Sequence, residues 1–74
     1  MTRALQDRDR AMRPSDVAEA LESAAERHRE AIAYWTAVGD EDRAALERRS
    51  AEVADLTARI ERDRAALEEC RAAT

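Results

Sequence analysis

Phenylalanine and lysine are absent from the 74-residue chain, and glycine, proline, cysteine, tryptophan, tyrosine and histidine occur once each. Each scarcity excludes something. A single cysteine, Cys70, rules out a disulfide within the chain. One glycine and one proline leave almost no punctuation for a β-rich or loop-rich fold. No apolar run approaches the ~20 residues that a membrane-spanning helix needs. The opening residues alternate arginine and aspartate instead of forming an apolar stretch, so no signal peptide is expected and a cytoplasmic location is the default. One histidine, with no E-x-x-H or H-x-x-x-H spacing, gives no basis for a metal centre. No phosphate loop or nucleophile–base pair occurs. The sequence therefore predicts no catalytic residue, no metal, no cofactor and no small-molecule substrate, and it predicts a protein that is not an enzyme.

What is present points to helix. Alanine, glutamate, leucine and arginine supply 46 of the 74 residues, and these side chains lose little rotamer freedom in a helix. Of the 33 residues behind the 45% hydrophobic content, 18 are alanine, while leucine, isoleucine and valine number 10 together. That leaves narrow apolar seams on a heavily charged chain rather than a broad core. All 13 basic residues are arginine, against 17 acids, for a net charge of −4.

The charges divide the chain. Residues 1–14 form an Arg-rich arm with a net charge of +2, and the segments 15–39 and 40–74 each carry −3. The arm is expected to be a short helix or disordered. Pro14-Ser15-Asp16 reads as a helix start, with Ser15 or Asp16 accepting the free N–H groups of the first turn and, with Asp16 as N-cap, Glu19 closing a capping box. Gly39 supplies the left-handed residue that ends a helix, and Asp40 caps the next one, where Glu41 and Asp42 meet the positive end of its dipole. The expectation is a helix at 15–38, a turn at 39–40 and a helix at 41–72.

The apolar spacing predicts how the helices meet. Val17, Leu21, Ala24, His28, Ala31, Trp35 and Val38 alternate by four and three. Leu46, Arg49, Val53, Leu56, Ile60, Asp63, Leu67 and Cys70 alternate by three and four. Both are heptad seams. Folding back at Gly39 pairs positions whose numbers sum to about 84, so Val38 meets Leu46, Ala31 meets Val53, Ala24 meets Ile60 and Val17 meets Leu67. The predicted fold class is all-α, an antiparallel, coiled-coil-like two-helix hairpin.

This register assigns the polar seam residues. His28 falls opposite Leu56, Arg49 opposite Trp35, where it either stacks as a cation–π pair or snorkels outward with its stem packed, and Asp63 opposite Leu21, where it can pair with Arg59, Arg64 or an arginine of another chain. Ala44, Ala51, Ala58, Ala65 and Ala72, at strict seven-residue spacing, fall on the far side of the second helix. They are either a solvated face or a second close-packing surface. Glu19, Glu22, Glu26 and Glu30 form an acidic outer stripe on the first helix.

Two helices cannot enclose a side chain on all sides, so the hairpin is expected to associate with protein. A dimer forming a four-helix bundle is the simplest solution, and a helical partner subunit is the next. The expected contact residues are Ile32, Tyr34, Trp35 and the alanine row. The function read from this is a non-enzymatic interaction module, a small subunit or adaptor such as phage or mobile-element assemblies use. The alternative is a nucleic-acid-associated regulator touching phosphate through Arg3, Arg8, Arg10 and Arg13.

Overall fold

The computed structural model describes residues 12–73. The described residues form two helices, α1 (Pro14–Ala37) and α2 (Glu41–Ala73), and these pack against each other. At ~1.5 Å per residue, α1 is about 36 Å long and α2 about 50 Å. Cross-helix pairs of Glu22 with Arg62 and Arg29 with Asp55 run in opposite directions along the chain, which makes the hairpin antiparallel. No described helix is long and apolar enough to cross a membrane. Residues 1–11, which carry Arg3, Arg8 and Arg10, lie outside the described residues.

The expected boundaries hold to within a residue or two, and the N-terminal cap differs. Pro14 occupies the first helical turn, where its missing N–H costs nothing. The cap residue is Arg13, whose backbone N–H donates to Asp16 Oδ2 at 3.3 Å. Asp16 therefore sits inside the first turn and ties back to the entry of the helix, instead of capping it from outside.

The turn forms as the sequence predicts. Gly39 has φ +84°. Its N–H donates to the Thr36 carbonyl at 3.1 Å, and the Asp40 N–H donates to the Trp35 carbonyl at 2.9 Å. This is the Schellman pattern, which satisfies the last carbonyls of α1. Asp40 Oδ1 then accepts the Arg43 N–H at 3.1 Å, and the Asp40 carbonyl accepts the Ala44 N–H at 3.1 Å. Gly39 ends α1 and its neighbour caps α2, so the reversal needs only residues 38–40.

The rotation of the helices departs from the expectation. On α1 the inward stripe is Ala18, Leu21, Ala25, His28, Ile32 and Trp35, all buried or half-buried. On α2 it is Ala44, Glu47, Ala51, Ala54, Ala58, Glu61 and Ala65. Both stripes alternate by three and four, as packed helices require. The buried core among the described residues is all alanine: Ala18, Ala25, Ala44, Ala51, Ala54 and Ala58. The seam drawn through Leu46, Val53, Leu56, Ile60 and Leu67 faces outward, as does Val38.

Charge explains the rotation. Facing the two seams would push Arg49 and Asp63 between the helices, opposite Trp35 and Leu21. An unpaired buried charge is far more costly than an exposed leucine is unfavourable. With α2 turned over, no polar or charged residue among the described residues is fully buried. Alanines on α2 also let the bulkier Leu21, His28, Ile32 and Trp35 of α1 approach closely.

Candidate association surface

The edges of the hairpin are closed by ion pairs. Arg62 binds Glu22 with both arms, Nη2 to Oε1 at 2.7 Å and Nε to Oε2 at 3.2 Å. That guanidinium holds the Glu22 carboxyl below the usual carboxylate range, and Glu22 in turn raises Arg62. One heptad along, Arg29 reaches both Glu26 and Asp55 at 3.0 Å. The hydrogen bond to Glu26 is the main reason Arg29 is raised, with Asp55 adding to it. All four glutamates of the acidic stripe on α1 are exposed, and arginine engages two of them, Glu22 across the helices and Glu26 within α1. These two cross-helix pairs join positions summing to 84, whereas His28 and Glu47 sum to 75 and Trp35 and Arg43 to 78, so the contacts spread around the predicted stagger.

His28 turns to Glu47 rather than Leu56, with Nδ1 2.6 Å from Oε2 in a part-buried contact. Glu47 is one of two carboxylates on the alanine face. The other, Glu61, lies 3.4 Å from Arg64. The histidine is a positioning contact between the helices, and no group of three or more metal-ligating side chains surrounds it among the described residues.

Trp35 has a cation above it, but Arg43 supplies it rather than Arg49. The Arg43 guanidinium carbon is 4.5 Å from the ring centroid, and Tyr34 meets the ring edge-on at 4.9 Å between centroids. Arg43 lies in the first turn of α2, just past the Asp40 cap, so the tight reversal itself delivers it to the tryptophan. The half-buried Trp35 and Ile32 serve the hairpin interior, leaving Tyr34, 60% exposed, as the outward aromatic residue.

The expected contact set needs correction on the same ground. Ala44, Ala51 and Ala58 are buried against α1 and cannot meet another chain. Ala65 is half-buried, and Ala72 is exposed near the end of α2. The row is a close-packing face, and its partner is the chain's own first helix. The grooves along the molecule are open and charge-lined. One runs between Glu22, Arg29, Asp55 and Arg62, and another between Arg13–Ser15 and Glu68–Glu69. Neither encloses apolar walls of the kind that hold small molecules.

The surface that stands out is the outer face of α2. Leu46, Val53, Leu56, Ile60 and Leu67 are 54% to 68% exposed and lie on one stripe. At about 100° per residue, that stripe sits roughly 150° around α2 from the alanine row. Arg49 and Asp63 lie on it, are exposed, and make no ion pair among the described residues. Cys70 continues it and is exposed. Apolar spacing picks out these residues but points them inward. Charge separates the two faces only through partners: Glu47 and Glu61 on the alanine face meet His28 and Arg64, whereas Arg49 and Asp63 would lie against Trp35 and Leu21.

Of the remaining sequence-derived positions, Arg13 is exposed at the start of α1, with its backbone engaged by Asp16. Compared with family models, curated proteins and solved structures, the chain matches none.

Proposed function

We propose that this protein is a helical association module, without catalytic function, that presents the outer face of α2 to another helix. The observation that carries this reading is the row of five large aliphatic side chains, 54% to 68% exposed on a heptad spacing. Scattered exposed leucines are ordinary on any protein surface, but a continuous stripe is not. The hairpin's interior holds alanine, whose burial removes little apolar area from water, and none of the large side chains among the described residues is fully buried. The larger share of the available hydrophobic stabilisation is left on the outside, where a second surface laid against it can use it.

Two hairpins joined through this face make a four-helix assembly with α2 helices at its centre. Sedimentation across protein concentration tests the reading. The protein is expected to associate, and its melting temperature is expected to rise with concentration, because association stabilises the folded state by mass action. Replacing Leu56 by Asp places a charge at the middle of the face and is expected to abolish association. A Leu56→Asp variant that associates like the parent would reject this face as the contact surface.

A further inference from the structure

The outer stripe of α2 reads nearly the same from either end. About a centre at Leu56, positions whose numbers sum to 112 or 113 fall opposite one another in an antiparallel pair. Leu46 meets Leu67, Val53 meets Ile60, and Leu56 meets itself. The two polar residues obey the same symmetry, for Arg49 meets Asp63. On one flank of the stripe, Glu52 and Arg59 sum to 111 and form a second opposite-charge pair. We propose that the occupant of this face is a second copy of the chain, lying antiparallel across a two-fold axis at Leu56. Arg49 pairs there with Asp63 of the second copy, and Glu52 with Arg59 of the second copy.

Charge selects both the occupant and the direction. A two-fold axis repeats each ion pair, so a symmetric contact gains four opposite-charge pairs from two kinds. In a parallel, in-register pair Arg49 would face Arg49 and Asp63 would face Asp63, and Arg59 would approach Arg64 of the other copy. Like charges at a contact disfavour that arrangement strongly. The aliphatic residues give no such discrimination, because they pair acceptably either way. The stripe thus separates two tasks, with aliphatic side chains for affinity and charged ones for orientation. Interleaving the side chains shifts the stagger by less than one turn, about 5.4 Å, which a flexible arginine can span.

The structure leaves these groups available. Arg49, Glu52, Arg59 and Asp63 are all exposed, and none is engaged in an ion pair within the described residues. By contrast, the two arginines that bridge the helices, Arg29 and Arg62, are both held by acids. Because the stripe lies nearly opposite the alanine row, the four helices of the dimer form a shallow row, α1–α2–α2–α1, and not a square bundle.

This proposal rests on the association reading, and its test separates the two. Cys70 lies fourteen residues from the proposed axis, so nitroxide labels on it should stand about 40 Å apart in the dimer. Double electron–electron resonance on the labelled full chain measures that distance. Reversing one charge, as Arg49→Glu or Asp63→Arg, should weaken dimerisation by roughly tenfold or more, and the double variant should restore it. In a parallel dimer the same single reversals exchange one like pair for another and change little. An associated protein with labels closer than about 20 Å, or one indifferent to both single reversals, overturns the antiparallel dimer and leaves the association reading standing. A protein that stays monomeric at every concentration overturns the self-association proposed here. If Leu56→Asp associates like the parent, the choice of face fails as well.

Discussion

The two long faces of α2 have exchanged the roles that side-chain size alone would assign them. One face is alanine with two glutamates, and it is inside. The other holds Leu46, Val53, Leu56, Ile60 and Leu67, and it is outside. Ranking residues by hydrophobicity puts the leucines in the core. What reverses the choice is the company each face keeps. The leucines share their stripe with Arg49 and Asp63, which cannot be buried against α1 without partners. The two glutamates on the alanine face do find partners, His28 for Glu47 and Arg64 for Glu61. A helix face is selected as a whole, and its most costly member decides.

The sharpest way to break this comparison is a pair of variants on neighbouring positions. Ala58→Leu inserts bulk where α1 packs, and overpacking of this kind costs about 1–3 kcal/mol. It should lower the helical signal and the melting temperature in dilute solution, as read by circular dichroism. Leu56→Ala, two residues away on the opposite face, should leave the dilute hairpin nearly unchanged and weaken association instead. The reverse outcome, a silent Ala58→Leu and an unfolded Leu56→Ala, would mean that α2 is rotated as the apolar seams suggest.

That contrast also marks how much of the molecule is legible in its sequence. The hairpin and its turn are readable, because each depends on strong local signals. Gly39 permits the left-handed step, Asp40 caps the second helix, and Pro14 opens the first. The stagger of 84 rests on matching the two apolar seams, and Glu22–Arg62 and Arg29–Asp55 meet it while His28–Glu47 does not. The rotation of α2 is not readable from apolar spacing, since α2 carries two heptad patterns about 150° apart and both are periodic. Counting large residues favours one, while counting uncompensated charges favours the other. The cation over Trp35 shows the same error in miniature: Arg49 is the arginine on the apolar seam, but Arg43, beside the turn, is the one in reach.

The turn offers the next effect in size. At φ +84°, any residue with a Cβ strains the backbone, and Gly39→Ala is expected to cost about 1–2 kcal/mol. No atom lies within 4 Å of the position that a Cβ would take, so this loss is one of conformation alone. Gly39→Asn should therefore recover part of it, because asparagine tolerates the left-handed region. Asp40→Ala removes the cap of α2 and should cost about 1 kcal/mol. Thermal melts of the three variants check the order. These changes act on the reversal shared by both helices, so unlike the paired variants they should weaken the hairpin and its association together.

The smallest effect belongs to the edge pair of Glu22 and Arg62, and its sign follows from the carboxylate. Arg62 holds the folded-state pKa of Glu22 below its ordinary value. The unfolded chain therefore takes up this proton at a higher pH than the folded one. The pair's contribution is fully present above the unfolded carboxylate pKa, near ~4.3, and it is lost as the pH falls through the lower folded value. Glu22→Gln should remove that acid-dependent part of the stability curve and leave the profile between about pH 6 and 8 almost unchanged in shape. Both groups are exposed, so the effect should be slight and should shrink further in added salt. A large loss of helix in Glu22→Gln at neutral pH would show that the ion-paired edge, and not the alanine face, holds the two helices together.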